Sequence, residues 1–212
     1  MSLRLGLFGG TFDPIHRAHL RMARAFCDEL ALDEVRLIPA GQPYHRAAGP
    51  VASPAQRLEM TRLAIAGEAR LVADDREIRR GKPAYTVDTL REVRAEIGDA
   101  AELWFLIGGD SLAALPGWRD WQELFSLANL AVALRPGFDW HQLPAAARQE
   151  WQARQVADFS NRTASGTIRP LALPPLDLSA TLLREQLRRG IAVDQELTPA
   201  VADYIRRHGL YR

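Results

Sequence analysis

The sequence predicts an α/β fold, a doubly wound parallel sheet with a small C-terminal helical part. Three observations carry this expectation. Short apolar strands alternate with amphipathic helical stretches through most of the chain. The strands end in glycine or proline turns, at Gly9-Gly10, Pro39-Ala40, Gly108-Gly109-Asp110 and Arg135-Pro136. The segment 178–212 reads as helices alone, a helical subdomain closing a single domain over residues 1–212. Strand, helix and strand at this spacing imply parallel strands joined by right-handed crossovers. In such sheets ligands bind at the carboxyl ends of the strands, where the order reverses.

Taken in order, Arg4 to Phe8 is a short buried strand, and His16 to Ala31 a helix with Leu20, Ala23, Phe26, Cys27 and Leu30 on one face. Val35 to Ile38 is the next strand. Ser53-Pro54-Ala55-Gln56 starts a helix with a serine cap, proline at its first position and glutamine placed for a capping box. That helix runs to about Ala66, and Leu71 to Ala73 is a strand. Thr86 to Ile97 is helical, and Leu103 to Ile107 and Leu130 to Leu134 are strands. Between Phe138 and Arg169 the pattern is least legible, with a helix near Ala145 to Ala153 and then a mobile loop from Ser160 to Gly166. Leu182 to Arg189 and Pro199 to His208 are helices.

Composition narrows the function classes. The 212 residues carry 27 basic and 26 acidic side chains, a net charge of +1, so no global field favours nucleic acid. Cys27 stands alone in an apolar helical pattern, which excludes an internal disulfide and reads as a buried, inert thiol. No stretch approaches the roughly 20 apolar residues that span a membrane. The segment Met1 to Gly10, with Arg4 and a glycine turn, is unlike a signal peptide, so the expected compartment is the cytoplasm.

The segment with the most chemistry is Gly9-Gly10-Thr11-Phe12-Asp13-Pro14-Ile15-His16-Arg17-Ala18-His19, between the first strand and the first helix. Two glycines let the backbone approach a ligand closely. The helix start then offers free N–H groups and a positive dipole end, an anion site. His16 and His19, three apart, can both face that anion and donate to phosphate oxygens as charge builds in phosphoryl transfer. Other glycine-rich phosphate sites fit poorly. No G-x-G-x-x-G with a later acid is present, and no P-loop pattern. A zinc site could use the two histidines, but no other standard ligands accompany them. Near the C-terminus, Ser179 caps a helix start and Arg184 follows within it. Asp13, His141 and His208 read as structural or solvent residues, and Trp121 as a packing neighbour of Trp118.

The first motif resembles the G-G-x-F-x-P-x-H-x-x-H signature of the nucleotidyltransferase superfamily, with Ala18 where a glycine is usual. Leu178-Ser179-Ala180-Thr181-Leu182-Leu183-Arg184 resembles its I-S-[ST]-[ST]-x-x-R element, with Ala180 replacing a hydroxyl residue. Three further stretches are similar to the bacterial nicotinate-mononucleotide adenylyltransferases. Pro43-Tyr44-His45-Arg46 resembles P-P-H-[KR], Ala84-Tyr85-Thr86-Val87-Asp88-Thr89 resembles S-Y-T-x-D-T, and Gly108-Gly109-Asp110 with Trp118 resembles G-x-D-x(7)-W.

The resemblance implies a Rossmann-like nucleotidyltransferase fold and transfer of AMP from ATP to nicotinate mononucleotide, giving nicotinate adenine dinucleotide and pyrophosphate. It implies catalysis by His16, His19 and Arg184. Gly9, Gly10, Thr11, Phe12, Ser179 and Thr181 join those three in binding ATP. Arg46, Tyr85, Thr86, Gly108, Asp110, Trp118 and Arg135 then bind the acceptor, with Arg46 and Arg135 facing phosphate. The Thr86 region takes the pyridine carboxylate, Asp110 a ribose hydroxyl, and Trp118 stacks on the ring. Mg²⁺ is expected to arrive with ATP, with no separate metal site. The partners expected are the two nucleotides, with neither nucleic acid nor membrane, in a monomer or a homodimer. Phosphopantetheine or nicotinamide mononucleotide as acceptor, and a non-catalytic nucleotide-binding regulator, are the alternatives.

Overall fold

The computed structural model describes residues 2–43, 49–134, 137–158, 162–171 and 178–212. Its elements are β1 (Arg4–Gly10), α1 (Arg17–Glu29), β2 (Glu34–Pro39), α2 (Pro54–Ala64), β3 (Leu71–Ala73), α3 (Arg76–Arg80), α4 (Thr86–Ile97), β4 (Glu102–Gly108), α5 (Gly109–Ala114), α6 (Leu124–Leu127), β5 (Asn129–Ala133), α7 (Ala145–Arg154), β6 (Ile168–Leu171), α8 (Ala180–Arg188) and α9 (Pro199–His208). The sheet has six strands in the order β3-β2-β1-β4-β5-β6. The β1–β4, β4–β5 and β5–β6 pairings are parallel. The expected doubly wound α/β sheet is therefore present, and its order reverses beside β1.

The chain divides into two compact units. One comprises Met1–Phe8, Ala25–Val35 and Tyr85–Pro175, the other Gly9–Arg24, Arg36–Ala84 and Leu176–Arg212.

In the first unit β4 is buried along almost its whole length, the continuous apolar run of a parallel strand covered on both faces. Gly6 faces the Phe26 ring and Leu32; a Cβ there would lie 2.6 Å from each. On α4 the buried face holds Val87, Leu90, Val93 and Arg94. Arg94 donates to the carbonyls of Leu127, Gly98, Ala101 and Ala164 at 2.6–3.1 Å, so its charge is solvated by main chain. Asn129, with no exposed surface, donates to the Leu103 and Thr163 carbonyls and accepts from Thr163 and Thr167.

Those bonds correct the expectation of a mobile loop for residues 162–166, which are stitched to the start of β5 and lead into β6. The rest of that expectation, residues 160 and 161, lies outside the described residues. The strand β6 was not anticipated, because Ile168-Arg169-Pro170-Leu171 shows neither alternation nor an apolar run.

In the second unit α2 begins as its sequence requires. Ser53 Oγ accepts from the Gln56 N–H, and the Gln56 side chain accepts from the Ser53 N–H, closing the capping box. Its buried face is Arg57, Met60, Thr61 and Ala64. The helices α2 and α9 pack together, with Val201, Ala202 and Ile205 buried on α9. No helix among the described residues is long and apolar enough to cross a membrane.

Candidate active site

Within the second unit the chain leaves β1 at Gly9-Gly10, where Ala40 N–H donates to the Gly10 carbonyl at 2.8 Å. A Cβ on Gly10 would lie 2.7 Å from the Phe12 ring, so this turn needs glycine. Phe12 is buried, with a left-handed backbone at φ 48°. Its ring meets His19 edge-on, with centroids 5.1 Å apart. The ring thus packs beneath the turn, and Phe12 can offer a ligand only its main chain.

His16 and His19 stack, with ring centroids 3.7 Å apart and planes 28° from parallel. The His16 N–H donates to Nδ1 of His19 at 3.2 Å. An Nδ1 that accepts carries no proton, so neutral His19 presents Nε2–H as its donor. Burial holds the His16 imidazole down at about 4. His19 is also held well below its ordinary value, first by burial and then by repulsion from His16. Both rings are neutral at physiological pH. Nδ1 of His16 is buried with no hydrogen-bond partner among the described residues.

Two of the N–H groups expected to be free at the start of α1 are in use. His16 spends its own on His19, and Arg17 donates to the Glu196 carbonyl at 2.8 Å. The start of α1 is therefore partly occupied by the protein's own acceptors.

Ser179 caps α8 as expected, its Oγ accepting from the Leu182 N–H at 3.2 Å. One turn on, Arg184 donates to the Thr181 hydroxyl at 3.3 Å and to the Asp13 carbonyl at 2.7 Å. The second unit therefore brings together Gly9, Gly10, Thr11, Phe12, His16, His19, Ser179, Thr181 and Arg184.

Arg57 organises the floor of this cluster and was not anticipated. With no exposed surface, it donates to the carbonyls of Thr11 (2.7 Å), Ala40 (2.6 Å), Gly41 (3.3 Å) and Ala52 (3.3 Å). The signal lay in α2, where an arginine shares helical spacing with Met60, Thr61 and Ala64.

The first unit holds Tyr85, Thr86, Gly108, Asp110 and Trp118, expected at the acceptor. Tyr85 and Thr86 begin α4, with Tyr85 in extended conformation at the cap position and its side chain making no capping hydrogen bond. The Arg119 guanidinium lies over the Tyr85 ring, 4.9 Å from its centroid, and 3.7 Å from Asp88. Gly108 caps α5, and exposed Asp110 sits in its first turn, where the helix dipole favours an acid. A Cβ on Gly108 would meet nothing within 4 Å, so no packing demands glycine there. Trp118 follows the Leu115–Gly117 turn, half-buried and with no ring partner among the described residues. Trp121, its expected neighbour, meets the Phe125 ring edge-on at 6.3 Å. Arg46 and Arg135 lie outside the described residues.

A neutral histidine pair where β1 leads into α1, in a sheet of this order, fits an enzyme that transfers nucleotidyl groups. The family model described as cytidylyltransferase-like matches residues 7–186, and the chain belongs to that family. A relative from Chromobacterium violaceum, described as "Probable nicotinate-nucleotide adenylyltransferase", is 74% identical over 212 residues, covering all of both chains. One from Laribacter hongkongensis with the same description is 56% identical, covering 98% of this chain and 94% of its own. Within the family, the chain is a nicotinate-nucleotide adenylyltransferase. Its fold is shared with a Plasmodium falciparum nicotinic acid mononucleotide adenylyltransferase solved with NaAD. That match has a TM-score of 0.75 at 16% identity and covers 99% of this chain and 97% of that one.

Proposed function

We propose that this chain runs its family's reaction as a single in-line displacement. An oxygen of the nicotinate mononucleotide phosphate attacks the α-phosphorus of ATP, the bond to the β-phosphate oxygen breaks, and pyrophosphate leaves. The attacking phosphate is already an anion, so no general base is required. The observation that carries the reading is the stacked, neutral pair His16 and His19 on the same motif whose Asp13 carbonyl holds Arg184. Neutral imidazoles donate to phosphate oxygens without being drained of their proton, and preorganised donors stabilise charge where it develops. Arg184 and Ser179 take the β- and γ-phosphates.

Mg²⁺ enters as part of the MgATP substrate. The one carboxylate inside the first motif, Asp13, is occupied by Val51, Ala52 and Tyr211 donors and does not fit a metal-ligand role. In the first unit, Tyr85 and Thr86 receive the pyridine carboxylate at the start of α4, Trp118 stacks on the ring and Asp110 binds a ribose hydroxyl. Arg46 and Arg135 are the further phosphate contacts. The chain works in the cytoplasm, as a monomer or a homodimer.

The stereochemistry at phosphorus tests the displacement. ATP made chiral at the α-phosphorus by sulfur substitution is converted with inversion if the attack is direct. Retention would demand a covalent intermediate and overturn the mechanism.

A further inference from the structure

Asp13 lies inside the glycine-led motif and is 2% exposed. Its Oδ2 accepts from the Val51 N–H at 2.8 Å, and its Oδ1 from the Ala52 N–H at 3.0 Å. Oδ1 also accepts from the Tyr211 hydroxyl at 2.7 Å. The Arg184 guanidinium, bonded to the Asp13 carbonyl, is 3.9 Å from Oδ2, close enough to feel the carboxylate yet short of a direct bond. Tyr211 is 3% exposed and has φ 63°, a left-handed conformation that a residue with a side chain adopts only when its surroundings hold it. Burial, and then the bond to Asp13, push its phenol well above the ordinary range, so it remains a donor at any working pH.

A carboxylate has about four lone-pair sites, and here three donors share two oxygens. The Tyr211 hydroxyl, on Oδ1 with the Ala52 N–H, therefore restrains how the carboxylate is turned relative to Arg184, whose nearest oxygen is Oδ2. Without it, Asp13 has a free site on Oδ1 and one restraint fewer, and can turn to pair directly with the guanidinium. A guanidinium captured in that way is drawn from the phosphates it would otherwise bind.

We infer that Tyr211 is a positioning residue for ATP, holding the Asp13 carboxylate so that Arg184 stays available to the phosphates. This rests on the proposed role of Arg184. It assigns α9 and the residues after it a part in nucleotide binding that the motifs do not announce.

The test is Tyr211→Phe, read by the dissociation constant for MgATP without acceptor and by the KM values for ATP and nicotinate mononucleotide. The variant should bind MgATP roughly tenfold more weakly, the scale of one charge-assisted hydrogen bond. Its KM for nicotinate mononucleotide should stay within about twofold, inside the usual scatter for a site not touched. In a double-mutant cycle with Arg184→Lys, the two effects on MgATP binding should be far from additive. Unchanged MgATP affinity in folded Tyr211→Phe, equal losses for both substrates, or additivity with Arg184→Lys would each overturn the inference. If Tyr211→Phe does not fold, Asp13→Asn, which has no carboxylate to capture Arg184, should keep MgATP affinity within about twofold of wild type; a roughly tenfold loss there, or failure of both variants to fold, overturns the inference too. A wild-type protein that binds MgATP but makes no pyrophosphate would instead defeat the proposed reaction, which the binding measurement does not depend on.

Discussion

The His16 main-chain N–H donates to Nδ1 of His19, 3.2 Å away, while the two rings stack at 3.7 Å. One backbone bond thereby fixes the tautomer of His19, leaving Nε2–H as its donor, and helps set the spacing of the pair. His19→Ala should lower turnover by about 10²–10⁴, the range for a positioned catalytic side chain, with the circular dichroism spectrum unchanged. Near-normal turnover in that variant would remove His19 from the chemistry.

The neutral state of the pair has a thermodynamic consequence. The folded-state value of His16, about 4, lies below its ordinary 6.5. The unfolded chain therefore binds more protons between those two values. Stability is fully present above pH 6.5 and is lost as pH falls toward 4, on the order of 3 kcal/mol if His16 acted alone. His19 adds in the same direction. Denaturant unfolding from pH 7 to 4.5 should show this slope, and His16→Gln should flatten it. An unchanged slope in the variant would mean that other groups carry it.

Arg57 should be far more costly to lose than an ordinary helical arginine. Arg57→Met leaves the Thr11, Ala40, Gly41 and Ala52 carbonyls without their donor and should destabilise the fold by roughly 3 kcal/mol. A shift below about 0.5 kcal/mol, typical of surface sites, would contradict the hub assigned to it.

Gly10→Ala tests the turn itself. Its Cβ must push a buried Phe12 ring that also supports His19. The expected outcome is a loss of about 1–3 kcal/mol from overpacking, with weaker MgATP binding. Wild-type stability would show that the ring has room to move.

Trp118→Ala acts on the other substrate. It should raise the KM for nicotinate mononucleotide and leave the ATP KM in place, because the ring is bound away from the reacting phosphorus. An unchanged KM would return Trp118 to a packing role.

Legibility in the sequence followed the strength of local signals. Thr86–Ile97 and Pro199–His208 were readable to the residue, because each opens on a clear start and closes on a glycine. The serine caps at Ser53 and Ser179 were readable for the same reason. Helical spacing marks Arg57 as buried, but not its role, because the Thr11 carbonyl it holds, like the Ala164 carbonyl held by Arg94, is distant in sequence. The short α5 was hidden because Gly108-Gly109 reads as a turn, although it is the start of a helix. Asp13 was readable as structural, but not its link to Tyr211, which spans 198 positions.

Pyrophosphate release with MgATP tests AMP transfer to a pyridine nucleotide through the histidine pair most directly. Nicotinate mononucleotide, nicotinamide mononucleotide and phosphopantetheine are offered separately. Strong release with the first alone is the predicted result. Release with none of the three, from folded protein that binds MgATP, would contradict it.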